Sequence, residues 1–174
     1  MNYATIKYND IANGTGVRTT LFVSGCKHGC KGCFNREAWD FNYGKPFTKE
    51  IEDEIINSLK SEFNDGLTLL GGEPFEPENQ RALLPFIKRV KEEFPNKTIW
   101  CFTGFLLDDE LLGDSRGNIE VTKELLSYID VLVDGRFIEE QKSLMLKFKG
   151  SKNQRTIDVK KTLAQNEIVL YELD

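Results

Sequence analysis

Three cysteines fall within eight residues, in the run Cys26-Lys27-His28-Gly29-Cys30-Lys31-Gly32-Cys33, spaced C-x3-C-x2-C. Thiolates this close along a chain fold round one metal centre, and Gly25, Gly29 and Gly32 allow the tight turns that requires. Two occupants follow from the residues alone. A four-iron cluster held by three thiolates keeps one iron open. A zinc ion would instead take His28, the only histidine, or Cys101 as fourth ligand to close its tetrahedron.

A second chemical group is Gly71-Gly72-Glu73-Pro74. Glycines let the main chain approach a ligand, and a carboxylate accepts hydrogen bonds from an ammonium group. Taken alone, the same four residues make an ordinary strand-to-helix turn. Their meaning depends on what the fold places beside them.

The predicted elements bring the two groups together. Residues 17–23 are rich in β-branched side chains and end at Ser24-Gly25, so they read as a strand delivering the chain into the cysteine loop. Ile51, Ile55, Leu59 and Phe63 recur every four residues behind Thr48, a capping residue, with Glu50, Glu52 and Asp53 in the first turn. That spacing predicts an amphipathic helix. Residues 67–70 form an apolar strand running into Gly71, and 80–94 a second helix through Leu83, Leu84, Ile87, Val90 and Phe94, its start shifted or its axis kinked by Pro85. A strand over 98–102 ends at Thr103-Gly104, a helix spans 121–128, and a strand over 131–133 ends at Asp134-Gly135. The alternation predicts an α/β fold of parallel βα units, with a single domain over 1–174. Strand ends in such folds gather on one side, so all four loops are expected to share one site. The β-like run 168–171 has no assigned place in the sheet.

The cysteine spacing, followed by Phe34-Asn35, resembles the signature of the radical S-adenosylmethionine superfamily, and Gly71-Gly72-Glu73-Pro74 resembles its GGEP motif. The resemblance implies a [4Fe-4S] cluster on Cys26, Cys30 and Cys33, whose open iron is chelated by the amino and carboxylate groups of S-adenosylmethionine. An electron from the cluster then cleaves the sulfonium to a 5′-deoxyadenosyl radical. Cofactor contacts are implied for Gly32, Cys33, Phe34, Gly71, Gly72 and Glu73, the backbone and carboxylate of the last group holding the methionyl amine. Thr103 and Asp134 sit where related activases place cofactor or cation contacts. The residue before the third cysteine is often apolar or aromatic in the superfamily; here it is Gly32, which leaves adenine contact to backbone and Phe34.

Four further runs, at 10–18, 99–105, 130–137 and 150–155, resemble the activating proteins of anaerobic ribonucleoside-triphosphate reductases, a family of glycyl-radical-enzyme activases. This likeness extends from about residue 8 to 159. It implies an incomplete (βα) barrel and a protein substrate, the anaerobic class III reductase, one of whose glycines loses its α-hydrogen. It also implies a low-potential electron donor such as flavodoxin. No acid, base or nucleophile of this chain is then required for the central step. The Lys142 to Arg155 region, with Asn153, Gln154 and Arg155 as its docking residues, is expected to dock the reductase near its glycine loop or to close over the cofactor. Rival readings are a radical enzyme acting on a small molecule, such as 7-carboxy-7-deazaguanine synthase, or a non-catalytic zinc or iron-sulfur module.

Composition narrows the setting. The 174 residues are 40% hydrophobic and 29% charged, the ordinary globular range, with no run approaching the ~18 to 20 apolar residues that cross a bilayer. The first residues lack a basic start, an apolar stretch and a cleavage site, so cytoplasmic residence is expected, where cysteines serve metal or redox chemistry rather than disulfides. A net charge of −5 disfavours nonspecific nucleic-acid binding. Charge is uneven, however. Between Lys142 and Lys161 there are seven basic residues and one acidic residue, Asp158, a solvated face or a docking surface for an acidic partner or a phosphate.

Overall fold

The computed structural model describes residues 1–173; Asp174, the last residue of the expected domain, lies outside them. The chain runs β1 (Asn2–Asp10), β2 (Arg18–Val23), β3 (Lys45–Pro46), α1 (Lys49–Ser58), β4 (Gly66–Gly71), α2 (Pro77–Glu93), β5 (Thr98–Phe102), α3 (Thr122–Tyr128), β6 (Val131–Asp134), β7 (Arg155–Asp158) and α4 (Val159–Gln165). Its seven strands form one sheet in the order β3-β1-β2-β4-β5-β6-β7. The expected parallel units are the centre of that sheet: β2, β4, β5 and β6 are mutually parallel, while β1, β3 and β7 pair antiparallel at the edges.

Alternation along the central strands gives the sheet two different faces. Leu21, Val23, Leu67, Leu69, Ile99, Cys101 and Leu132 point into the main core, where Ile55, Leu59, Leu83, Phe86, Ile87, Val90 and Leu125 from the helices cover them. Trp100, Val131 and Val133 point the other way and meet Phe102, Phe148 and Tyr171. Cys101 thus lies wholly buried on the helix side, away from the cysteine loop, as a small apolar core residue.

The opposite face is polar at the N-terminal ends of the strands. There Arg18, fully buried, donates from Nε to Thr68 Oγ1 (2.8 Å) and from its terminal nitrogens to Thr15 O, Leu67 O, Thr98 O and Thr98 Oγ1 (2.8–3.1 Å). Its guanidinium also sits 5.8 Å from the Trp100 ring centroid. The fork geometry satisfies carbonyls of β4 and β5 from one side chain, which a lysine could not do. Burial lowers its pKa to about 10, still leaving it charged at neutral pH.

Several boundaries differ from the sequence reading. The first helix stops at Ser58, so Phe63 lies outside it and is exposed. The Ser58 hydroxyl bonds back to Ile55 O (2.6 Å), offering the backbone an exit from the helix. The second helix starts at Pro77, its N1 position, and continues through Pro85, whose missing N–H falls on the exposed side. The run 168–171 borders β7: Asp158 donates to Val169 O (2.8 Å) and Tyr171 to Thr156 O (2.9 Å). Tyr171 thereby reaches Trp100 edge-on, at 5.6 Å between ring centroids. Among the described residues no helix is long and apolar enough to cross a membrane.

Replacing Arg18 by alanine takes a donor from the carbonyls of Thr15, Leu67 and Thr98, of which Leu67 is buried, and leaves a void beneath Trp100. The expected loss of unfolding free energy is ~3 kcal/mol or more, read from urea denaturation of the apoprotein. A loss below ~1 kcal/mol would show that the N-terminal end of the sheet does not rely on this side chain.

Candidate functional site

The sheet register aligns the C-terminal strand ends: Val23 lies opposite Gly71, Leu69 opposite Cys101 and Phe102 opposite Val133. The cysteine loop leaves β2 along a fixed path, because Gly25 N–H donates to Ala38 O (2.7 Å) and Cys26 N–H to Trp39 O (3.2 Å). The next loop presses directly on it. Gly72 N–H donates to Val23 O and Glu73 N–H to Gly25 O, both at 2.8 Å. A β-carbon on Gly71 would stand 2.4 Å from Val23 O, and one on Gly72 2.6 Å from Gly25 O. Glycine at both positions is therefore a packing requirement, and Gly71 also holds φ +115°.

Glu73 is completely buried and accepts four hydrogen bonds. Oε1 takes His28 Nε2 (2.6 Å) and Gly104 N–H (2.7 Å); Oε2 takes Phe75 N–H (2.8 Å) and the Thr103 hydroxyl (2.7 Å). A carboxylate offers about four lone-pair positions, so this one is fully used within the chain. An amine contact at this carboxylate would compete with these four partners; the glycine-lined main chain lies beside it on the same cavity. Since a carboxylate only accepts, the His28 proton is assigned to Nε2. The imidazole also packs edge-on against Phe105, at 4.6 Å between centroids. Its Nδ1 is buried without a partner.

These loops enclose a cavity of about 480 Å³. Its lining brings together Cys26, Cys30 and Cys33 with Phe34, Gly71, Gly72, Glu73 and Thr103, all expected from the sequence. All three thiols are free. Burial pushes the Cys26 thiol up to about 12 and raises that of Cys30, so the binding of a metal centre here must displace protons. Among the described residues no three His, Cys, Asp or Glu side chains converge as ligands of a single ion would. In an iron-sulfur cluster each thiolate meets a different iron, which calls for wider spacing. With His28 bonded to Glu73 and Cys101 on the other face of the sheet, neither stands as a fourth ligand. The volume suits a ligand of nucleoside size beside such a cluster, and the thiols, the glycine cradle and the unpartnered Nδ1 fit an iron-sulfur centre with an organic cofactor.

Two expected cofactor contacts lie off this cavity. Gly32 faces the Glu139 carboxylate, 3.1 Å from where a β-carbon would stand. Asp134 is fully buried and accepts from Arg155 Nε (3.0 Å) and NH2 (2.6 Å) and from Leu107 N–H (2.8 Å). Antiparallel pairing of β6 with β7 places Arg155 directly opposite Asp134, and Asp108 receives the same guanidinium at 2.9 Å. The other two residues of that segment are also turned inward. Asn153 donates to Arg136 O (2.8 Å), and Gln154 donates to Gly135 O (2.9 Å) while accepting from Gly150 N–H (2.8 Å). Asn153, Gln154 and Arg155 thus brace the end of β6; only Gln154 reaches the cavity.

Several residues that matter here have no role legible in the sequence. Gly104 supplies an N–H to Glu73, and Phe137 and Phe148 line the cavity from loops without periodic pattern. His28, a candidate zinc ligand by its place in the cysteine loop, has a side chain only 3% exposed and bonded to Glu73. The signal was present for His28 and Gly104, which flank the cysteines and a strand end; for the two phenylalanines there was none.

A cavity lined by three thiols at the strand ends of an α/β sheet marks the class. Residues 12–157 match the sequence model of a family described as "4Fe-4S single cluster domain". Three relatives, each aligned over 156 residues and 88% of this chain, carry the name anaerobic ribonucleoside-triphosphate reductase-activating protein. The proteins of Haemophilus influenzae (49% identical, 96% of its length), Pasteurella multocida (46%, 95%) and Vibrio cholerae (47%, 96%) are these relatives. The chain belongs to the family of anaerobic ribonucleoside-triphosphate reductase-activating proteins.

Glu73→Ala would leave His28, Gly104, Phe75 and Thr103 without their shared acceptor. The expected loss is ~3 to 5 kcal/mol in apoprotein stability, measured by denaturant titration without any cofactor. A change below ~1 kcal/mol would mean that the four bonds do not tie the loops together.

Proposed function

We propose that the chain is the activase of an anaerobic class III ribonucleoside-triphosphate reductase, using a [4Fe-4S] cluster and S-adenosylmethionine. The observation that carries this reading is the single cavity shared by Cys26, Cys30, Cys33 and the Gly71-Gly72-Glu73 turn. In this reading 1–174 is one domain, and its sheet is the core of an incomplete (βα) barrel of the radical S-adenosylmethionine type, working in the cytoplasm.

Cys26, Cys30 and Cys33 would hold the cluster, three thiolates leaving one iron for the cofactor. When bound, cluster and cofactor together supply a one-electron cleavage of the sulfonium that ends with removal of an α-hydrogen from a glycine of the reductase. Everything else falls to side chains that hold and exclude. Main-chain groups of Gly71 and Gly72 face the cavity, where carbonyl oxygens accept from an ammonium group. Glu73, with Thr103 and His28, keeps that main chain against the cysteine loop and acts as a positioning residue. Phe34, Phe102, Val133 and Phe137 present an apolar wall that keeps water from a reactive centre. Asp134 and Arg155 fix the β6 end of the cavity rather than contact the cofactor. No general acid or base is needed, and the electron would come from a low-potential donor such as flavodoxin.

The test mixes the reduced, cluster-loaded protein anaerobically with S-adenosylmethionine and a class III reductase, and follows the mixture by electron paramagnetic resonance. The expected result is a glycyl-radical doublet on the reductase that depends on all three components. Cleavage of the cofactor with no radical on the reductase would count against the activase reading and favour a small-molecule substrate.

A further inference from the structure

Within the region expected to dock a partner, Asn153, Gln154 and Arg155 are turned inward, and what they brace is a loop whose tip is bare. Residues 142–149 leave and re-enter the structure at one point: Lys142 pairs with Ser151, and Ser143 N–H donates to Gly150 O at 3.3 Å. Gln154 Oε1 accepts from the Gly150 and Ser151 N–H groups (2.8 and 3.1 Å), and Lys149 Nζ donates to Gln154 O at 3.1 Å. Phe148 holds φ +56°, an uncommon conformation for a bulky residue, and its ring meets Trp100 at 5.4 Å. The loop is therefore anchored at its base and along one side.

Its tip is not. Leu144 and Met145 are each 91% exposed, two adjacent apolar side chains standing in water at the mouth of the cavity, which Leu144 also lines. Phe34, 73% exposed, continues the apolar rim from the cysteine loop; Lys142 Nζ lies 5.0 Å from its ring centroid. Lys142 and Lys149 line the cavity here, and from Lys142 to Ile157 the chain carries Lys147, Lys152 and Arg155 as well and no acidic residue, although the whole protein has a net charge of −5; the exposed Glu139 just before this stretch pairs with Lys31 at 3.7 Å. An apolar centre followed by a wholly basic stretch of chain is the composition of a recognition surface, with the charge selecting the partner and the apolar anchors holding it.

We propose that the 142–149 loop, with Leu144 and Met145 as anchors, is the docking surface for the glycine-bearing segment of the protein substrate. This rests on the activase reading. The occupant is a polypeptide segment with apolar side chains flanked by acidic ones. Charge complementarity selects it, and the tip's place at the cavity mouth delivers its glycine to the reacting centre.

Met145→Asp, at a position off the cavity lining, tests this beside Met145→Leu. Affinity for the reductase is measured by titration, together with iron content and S-adenosylmethionine cleavage in the absence of reductase. The expected result is about tenfold weaker affinity for Met145→Asp, with wild-type iron content and cleavage, and recovery in Met145→Leu. Affinity of Met145→Asp within about twofold of wild type overturns the docking role, as does loss of self-association alone, which would make the tip a contact between two copies. If the wild-type protein itself forms no radical on the reductase, the activase reading fails with it. A wild-type radical with unchanged Met145→Asp binding overturns the docking role alone.

Discussion

The arrangement of the cavity depends on one buried carboxylate. Glu73 takes hydrogen bonds from the cysteine loop through His28, from the turn that follows β5 through Thr103 and Gly104, and from its own turn through Phe75. Three loops that meet only at their strand ends are joined at one group. A buried carboxylate is costly unless its lone pairs are filled, and here filling them requires all three loops to be in place. That requirement turns three loosely related strand ends into a cradle with one shape.

Around this hub the sheet divides its labour by face. One face is an ordinary apolar core under helices, which supplies stability and absorbs Cys101. The other grades from the buried Arg18 network at the N-terminal ends, through Trp100, to the thiol-lined cavity at the C-terminal ends. The antiparallel edge strand β7 adds the Asp134–Arg155 pair, and the 168–171 run beyond it carries Tyr171 to Trp100. Support at the base by buried polar groups, with the cavity at the strand ends, is what the proposed activase requires.

Much of this was legible in the residues. The strands read over 67–70 and 98–102 and the helix read over 80–94 declare themselves by apolar pattern to within a few residues of their bounds, and the cysteines, Gly71 and Gly72 by spacing and type. What escaped is what tertiary context decides. Strand β1 has only Tyr3 and Asp10 as buried positions, β7 is polar, and β3 is two residues long with a proline, so none shows a strong period. The roles of Glu73, Asp134, Asn153, Gln154 and Arg155 also depend on context. A carboxylate or an amide looks the same in sequence whether it awaits a ligand or is already filled by its neighbours. Only the hydrogen-bond partners distinguish the two, and here the partners are internal. Exposed Leu144 and Met145, by contrast, look in sequence like core residues.

The central claim is that Cys26, Cys30 and Cys33 hold a four-iron cluster whose fourth iron is left for a cofactor in the same cavity. Iron-57 Mössbauer spectroscopy of the anaerobically loaded protein, with and without S-adenosylmethionine, tests it most directly. The account predicts four irons per chain, of which one changes its isomer shift when the cofactor is added while the other three do not. Four irons that all stay unchanged, or a site that takes up zinc in place of iron, would contradict it.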